Sequence, residues 1–496
     1  MDIIHAPIVD GIPHVESCLL VHAIFLNILW IVLGWGWITS HQKYPLRTFF
    51  GGIPSKFQLA IATMIWATIL GVVAYEFEAE YWFLGFSIAN GAFMSMLNPA
   101  FALSFSLTMM LMRPWEMMEA NAVVLALPRF SVMFSIGWFL LYFIVYDRWA
   151  LRINKLIILL FAYCTWVFLS TFITPDPASS LYSFNETIGR AVTLFIMIYH
   201  LVRDRFSVWV IKTAVINTFT CVGAISLLLY FNDYTEDGRL IAFGLFKNTN
   251  DIAAIVTISF MLAATPFLKK SSSLLEKLGA VIPMATSFLV IMLAQSRGAL
   301  IAIVFPFAVH TFIKMKKKVY AVIAVSIIGI IGVTALSTLK RNAGDLEGSS
   351  ESRKSFWISG LRIAMYNPVF GVGFGQFPDN FETYALKIVG EYGKRTAHSS
   401  WILALSEGGI LGLILFVAFY FYGALKNSYR LYYHDPTWFY AAVSYGFAMS
   451  FLSHTYVLFP YILIGMITAA VTVFLNEEAR PYLTQEMSHA DGSNFS

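Results

Sequence analysis

Two arginines and a histidine, far apart in the chain, are the residues best suited to chemistry. Arg239 lies in NDYTEDGRLIAFGLFKNTNDIA, Arg297 in the tight turn AQSRGAL, and His398 opens HSSWILALSEGGILGLILF. Two guanidinium groups facing one cavity make a site for an anion, and their planar fork suits phosphate. A histidine beside them can take up a proton near neutral pH. The combination fits group transfer on a phosphate-activated, lipid-linked substrate. Each residue also has a plainer reading. Arg297 could snorkel to lipid headgroups, Arg239 could be a solvated neighbour of Glu236 and Asp237, and His398 could bond to backbone where a helix begins.

The elements that must position these groups are membrane helices. The chain is 58% hydrophobic and only 12% charged, against about 25% charged in soluble proteins. Runs of about 20 apolar residues are long enough to cross a bilayer as helices. Such runs occur near 17–39, 58–75, 82–96, 98–112, 130–146, 155–174, 189–203, 208–231, 251–267, 278–295, 299–313, 319–338, 399–424, 438–456 and 460–475. The expected fold is therefore an all-α polytopic membrane protein of about 12–15 helices. The two runs flanking Asn98-Pro99 could also be one broken or re-entrant segment.

Lysine and arginine in alternate loops orient the bundle. Lys43, Arg47 and Lys56, then Arg148, Arg152 and Lys155, then Lys314 to Lys318 (interrupted by Met315), and Lys426 with Arg430 fall on one side, predicted to be cytoplasmic. Arg239, Arg297 and His398 then share the opposite, outer side. The predicted organisation is a membrane region at 1–234, a second with arginine-bearing outer loops at 235–338, a large outer loop at 339–398, closing helices at 399–476 and a cytoplasmic tail at 477–496. In the large loop, Phe356, Trp357, Leu361 and Ala364 recur at helical spacing, which predicts an amphipathic helix on the membrane surface ended by Asn367-Pro368, with a second helical patch near 378–391. Arg113, Arg129 and Arg190 near the outer face suit headgroup or structural roles.

Other chemistries find little support. Gly371, Gly373 and Gly375 in GVGFGQF follow no strand, so they predict a tight turn and not a dinucleotide site. Cys18, Cys164 and Cys221 lie in apolar runs without metal-ligand spacing and read as small buried hydrophobes. The large loop has no DxD, so neither a metal nor a cofactor is expected. The +4 net charge is scattered over short loops and gives no footprint for nucleic acid.

Four segments together resemble the O-antigen ligase and polymerase family of bacterial envelope enzymes: GRLIAFGLFKNTNDIA, AQSRGALIAI, SRKSFWISGLRIAMYNPVFGVGFGQF and AHSSWILALSEGGILGLILF. The resemblance runs from roughly 235 to 420. It implies an inner-membrane glycosyltransferase with a GT-C-like helical fold, moving a glycan from undecaprenyl diphosphate to an acceptor at the periplasmic face. The acceptor would be lipid A-core for a ligase or another carrier-linked repeat for a polymerase, in lipopolysaccharide or other polysaccharide biosynthesis. Residue by residue, it implies His398 as general base and Arg239 and Arg297 as stabilisers of the diphosphate. Asn248 and Asn250, and Arg353 and Arg362, would contact substrate. Thr249 departs from the family pattern, where a proline is common. A rival of another class is a lipid-linked sugar transporter, and a purely structural scaffold is a third reading.

Overall fold

A computed structural model describes residues 14–40, 79–117, 122–146, 151–243, 248–314, 343–386 and 396–492. The runs near 58–75 and 319–338 lie outside these residues. In chain order the helices of eight residues or more are α1 Val15–Ser40, α2 Glu80–Leu97, α3 Pro99–Met112, α4 Ala122–Leu141, α5 Lys155–Ser170, α6 Pro177–Phe184, α7 Arg190–Leu201 and α8 Arg205–Phe231. They continue with α9 Thr249–Ala263, α10 Leu274–Leu293, α11 Arg297–Lys314, α12 Ala343–Tyr366, α13 Ser400–Tyr420, α14 Thr437–Ala448 and α15 Leu458–Gly492. The protein is an all-α polytopic membrane protein. Eight described helical stretches are long and apolar enough to cross a membrane, and Arg297–Ile313 is an apolar helix just short of that length. Large apolar side chains such as Trp82, Phe86, Met133 and Ile158 point outward, as a lipid-facing surface requires and a water-facing one would penalise.

Polar residues in the sequence set the helix starts. Asn98 accepts from the Ala100 N–H and Pro99 occupies the first turn, so the two runs flanking them are separate helices. Asn154, Asp204 and Ser399 cap α5, α8 and α13 in the same way. Ser273 and Glu276 form a capping box at α10. The bundle is organised around α8 and α9. Helix α8 packs on α1, α3, α9, α10 and α15, and α9 packs on α10, α11 and α14. At one end of this core the Lys212 ammonium bonds to Asp435 at 2.6 Å and to the hydroxyls of Thr265 and Thr437. That buried cluster joins the start of α8, the end of α9 and the start of α14. The candidate site lies at the other end.

The helix predicted from the large loop is α12, and its inward face differs from the expected stripe. Phe356, Ser359, Gly360, Ile363 and Ala364 are buried, whereas Leu361 is 48% and Met365 78% exposed. The inward face packs on α13, and the outward one presents Ile358, Leu361, Met365 and Tyr366. Helix α12 is followed by a one-turn helix at Phe377–Asn380; residues 387–391 of the second predicted patch lie outside the described set.

The glycine-rich turn has a specific partner. Helix α13 is interrupted at Gly409, whose φ of 66° is left-handed. The freed backbone bonds to the turn: the Val372 N–H donates to the Ser406 carbonyl at 2.9 Å, and the Ile410 N–H to the Pro368 carbonyl at 2.9 Å. The Glu407 carboxylate accepts from the N–H groups of Gly375 and Phe377 at 3.0 and 2.9 Å. A Cβ on Gly371, itself at φ 63°, would run into the backbone of Ser406. Gly371→Ala is therefore expected to lower stability by about 2–4 kcal/mol, summing left-handed strain and the clash. Thermal unfolding in detergent would show it, and a melting point equal to wild type would refute the fit.

Candidate functional site

Each of the three singled-out residues stands at a left-handed backbone position or within two residues of one. Asp237 and Gly238 have φ of 52° and 69°, the geometry of a type I′ hairpin turn. They close a two-stranded ribbon, β1 Thr235–Glu236 and β2 Arg239–Leu240, with Glu236 opposite Arg239. The Asp-Gly pair was the sequence signal for this hairpin. Gln295, two residues before Arg297, has φ 51°, and His398 itself has φ 46°. Such conformations are uncommon for residues other than glycine and cluster where function holds the backbone.

The Arg239 guanidinium reaches across to the end of α10. Its Nε and Nη2 donate to the Ala294 carbonyl at 3.0 and 2.8 Å, satisfying an acceptor at the negative end of a helix. Nη2 also lies 3.4 Å from Asn250 Oδ1, which accepts from Ser296 Oγ at 3.1 Å. Asn250 is thus the junction between the hairpin and the SRG turn. Asn248 does another job: its side chain accepts from the Asn250 N–H at 2.9 Å and caps α9.

Arg297 is the first residue of α11 and is half-buried. Among the described residues it has no hydrogen-bond or ion-pair partner. A cation in the first turn adds to the positive end of the helix dipole, an arrangement that is unfavourable until an anion is present. Ser296 and Gly298 on either side of it line an open pocket with Asn250, Ala254, Arg353, Phe451 and Leu452. Its empty volume, open solvent included, is about 250 Å³.

The structure brings Arg353 to this pocket and does not bring Arg362. Nine residues along a helix are two and a half turns, so the two arginines project from opposite faces of α12. Arg362 instead donates from Nη1 to the Tyr384 carbonyl at 2.8 Å and braces the following loop. His398 is half-buried and does not line the pocket. Its ring centroid lies 5.8 Å from that of Phe356, three residues beyond Arg353 and on the same face of α12. Arg113 and Arg190 pair with Glu116 and Glu186 nearby in their own segments.

Three residues at this end escaped the sequence reading. Ser296 joins the turn to Asn250. Asp251 follows Asn250, and its Oδ1 lies 3.2 Å from Nε2 of His454. His454 sits in the break between α14 and α15, buried at 4% exposure. Its signal in the sequence was modest: a His-Thr pair where an apolar run is interrupted.

Residues 282–417 match the O-Antigen ligase family model. The match supports an O-antigen ligase family protein, an enzyme of ligase or polymerase type whose family acts on lipid-linked glycans. No curated protein matches the chain. The matched segment contains Arg297, Arg353, Arg362 and His398, and ends before His454. Arg239, Asn248 and Asn250 precede it, and Arg239 and Asn250 meet it through the bonds to Ala294 and Ser296.

Proposed function

Starting from a chain whose residues 282–417 match the O-antigen ligase family, we propose that it transfers a glycan from undecaprenyl diphosphate to a hydroxyl acceptor at the periplasmic face of the bacterial inner membrane. The observation that carries this reading is the half-buried Arg297, without a hydrogen-bond or ion-pair partner among the described residues, beside a pocket lined by Asn250, Ser296 and Arg353. An uncompensated guanidinium at a helix N-terminus is a receptor for phosphate oxygens.

The chemistry follows from the placement of the groups. The acceptor hydroxyl attacks the anomeric carbon of the carrier-linked sugar, forming a new glycosidic C–O bond. The bond from that carbon to the diphosphate oxygen breaks, and its electron pair leaves with undecaprenyl diphosphate. His398 takes the hydroxyl proton as general base. Arg297 and Arg353 meet the charge that grows on the diphosphate, where preorganised donors contribute most. Arg239 holds Asn250 and the Ala294 turn in place, and its charge adds to the positive field. The diphosphate linkage already stores the activation, so no nucleotide enters the reaction.

A deletion strain tests the proposal. It should lose its high-molecular-weight surface glycan and accumulate carrier-linked glycan in the outer leaflet, where externally added glycosidase can reach it. Accumulation confined to the inner leaflet would identify a transporter and overturn the assignment. Growth of carrier-linked chains in vesicles lacking any other acceptor would select polymerase over ligase.

A further inference from the structure

The arginine pocket and the histidine belong to different helices, and one residue bonds to both sides. The His454 side chain contacts Asp251 at 3.2 Å, next in the chain to Asn250, the junction with Arg239 and Ser296. The His454 backbone N–H donates to Ser400 Oγ at 2.9 Å, two residues past His398. Ser400 is held further: its Oγ donates to the Leu452 carbonyl at 2.6 Å, and its carbonyl accepts from Thr455 Oγ1 at 2.7 Å. The other imidazole nitrogen, Nδ1, lies 2.8 Å from the buried Tyr445 hydroxyl. In the tautomer whose Nε2–H donates to Asp251, Nδ1 accepts from the tyrosine hydroxyl, so both ring nitrogens are used. The same interhelical segment supplies Phe451 and Leu452 to the wall of the pocket.

We propose that His454 is a positioning residue that holds the anion pocket on α9–α11 in register with His398 at the start of α13. The inference rests on the reading of Arg297 and His398 given above. Its physical basis is that transfer needs the base and the phosphate-binding groups on one substrate at once. A misplacement of about 1 Å between them can cost about a hundredfold in rate. Each half would still bind its own portion of the substrate if the tie were cut. His454 touches neither portion, and its effect is on geometry.

The experiment compares wild type with His454→Ala, His454→Gln, Asp251→Ala and the His454→Ala/Asp251→Ala double variant. Glycan transfer is timed in vesicles of the deletion strain carrying its own carrier-linked glycan, and undecaprenyl diphosphate binding is measured on the purified full chain. His454→Ala should slow transfer by about ten- to a hundredfold while affinity for undecaprenyl diphosphate stays within about threefold. His454→Gln, whose amide can still donate to Asp251, should recover most of the rate. The double variant should be no slower than His454→Ala alone, because both cut one tie. Should His454→Ala fail to fold, Asp251→Ala and Tyr445→Phe carry the same expectation of slowed transfer with retained binding. Wild-type rates in His454→Ala, or in both of those replacements, would overturn the proposal if His398→Ala is inactive. Additive losses, or loss of binding in parallel with rate, would also overturn it. Full activity in His398→Ala and Arg297→Ala would instead remove the reading on which it rests.

Discussion

Replacing Arg297 by alanine should slow glycan transfer by about a hundred- to a thousandfold, the range seen when one donor to a developing oxyanion is removed. It should also weaken undecaprenyl diphosphate binding by about ten- to a hundredfold, from the loss of a charge-assisted contact of about 1.5–3 kcal/mol. Folding should not suffer. Arg297 has no hydrogen-bond or ion-pair partner among the described residues, so its removal breaks no such bond. It also relieves an unfavourable charge at the start of α11, a relief of about 0.3–1 kcal/mol. Arg239→Ala makes the contrast. That change strips the Ala294 carbonyl of two donors and Asn250 of a third, so transfer and thermal stability should both fall. Arg297→Lys keeps the charge and loses the fork, and should recover binding only in part. Wild-type transfer and affinity in Arg297→Ala would show that the pocket holds no phosphate.

His398→Ala should slow transfer by about a hundred- to ten-thousandfold, the usual contribution of a positioned general base. Undecaprenyl diphosphate should still bind, because Arg297, Arg353 and Asn250 are untouched. Retained binding with lost transfer separates a base from a residue that merely shapes the pocket. The bonds that anchor the start of α13 run through Ser399 and Ser400, and His398 contributes a ring packed near Phe356. Transfer at the wild-type rate by a well-inserted His398→Ala protein would remove the base from the mechanism.

Both expectations concern residues whose types were visible in the sequence, but their different structural roles were not. Arg239 and Arg297 read alike as outer-loop arginines. The structure shows one bonded to a helix terminus and the other without a hydrogen-bond or ion-pair partner among the described residues. The difference depends on whether a carbonyl 55 positions away comes within reach. The separation of Arg353 from Arg362 was open to simple helix geometry, since nine residues place side chains on opposite faces. The expected stripe on α12 missed because Leu361 is apolar yet faces outward. In a membrane protein, apolar character alone does not tell the lipid side of a helix from its packed side.

The sequence by itself determined that this chain is a bundle of membrane helices, where many of them begin, and which segments carry arginine and histidine at their ends. Those properties are local: run length against bilayer thickness, and caps bonding within a turn. Only the tertiary structure decided that Glu407 clasps the glycine-rich turn, that Asn250 joins the hairpin to the SRG turn, and that His454 meets Asp251 across 203 positions. Such pairings arise when helices pack. Which side chains then meet depends on the rotation and depth of each helix in the bundle, and no single segment encodes either.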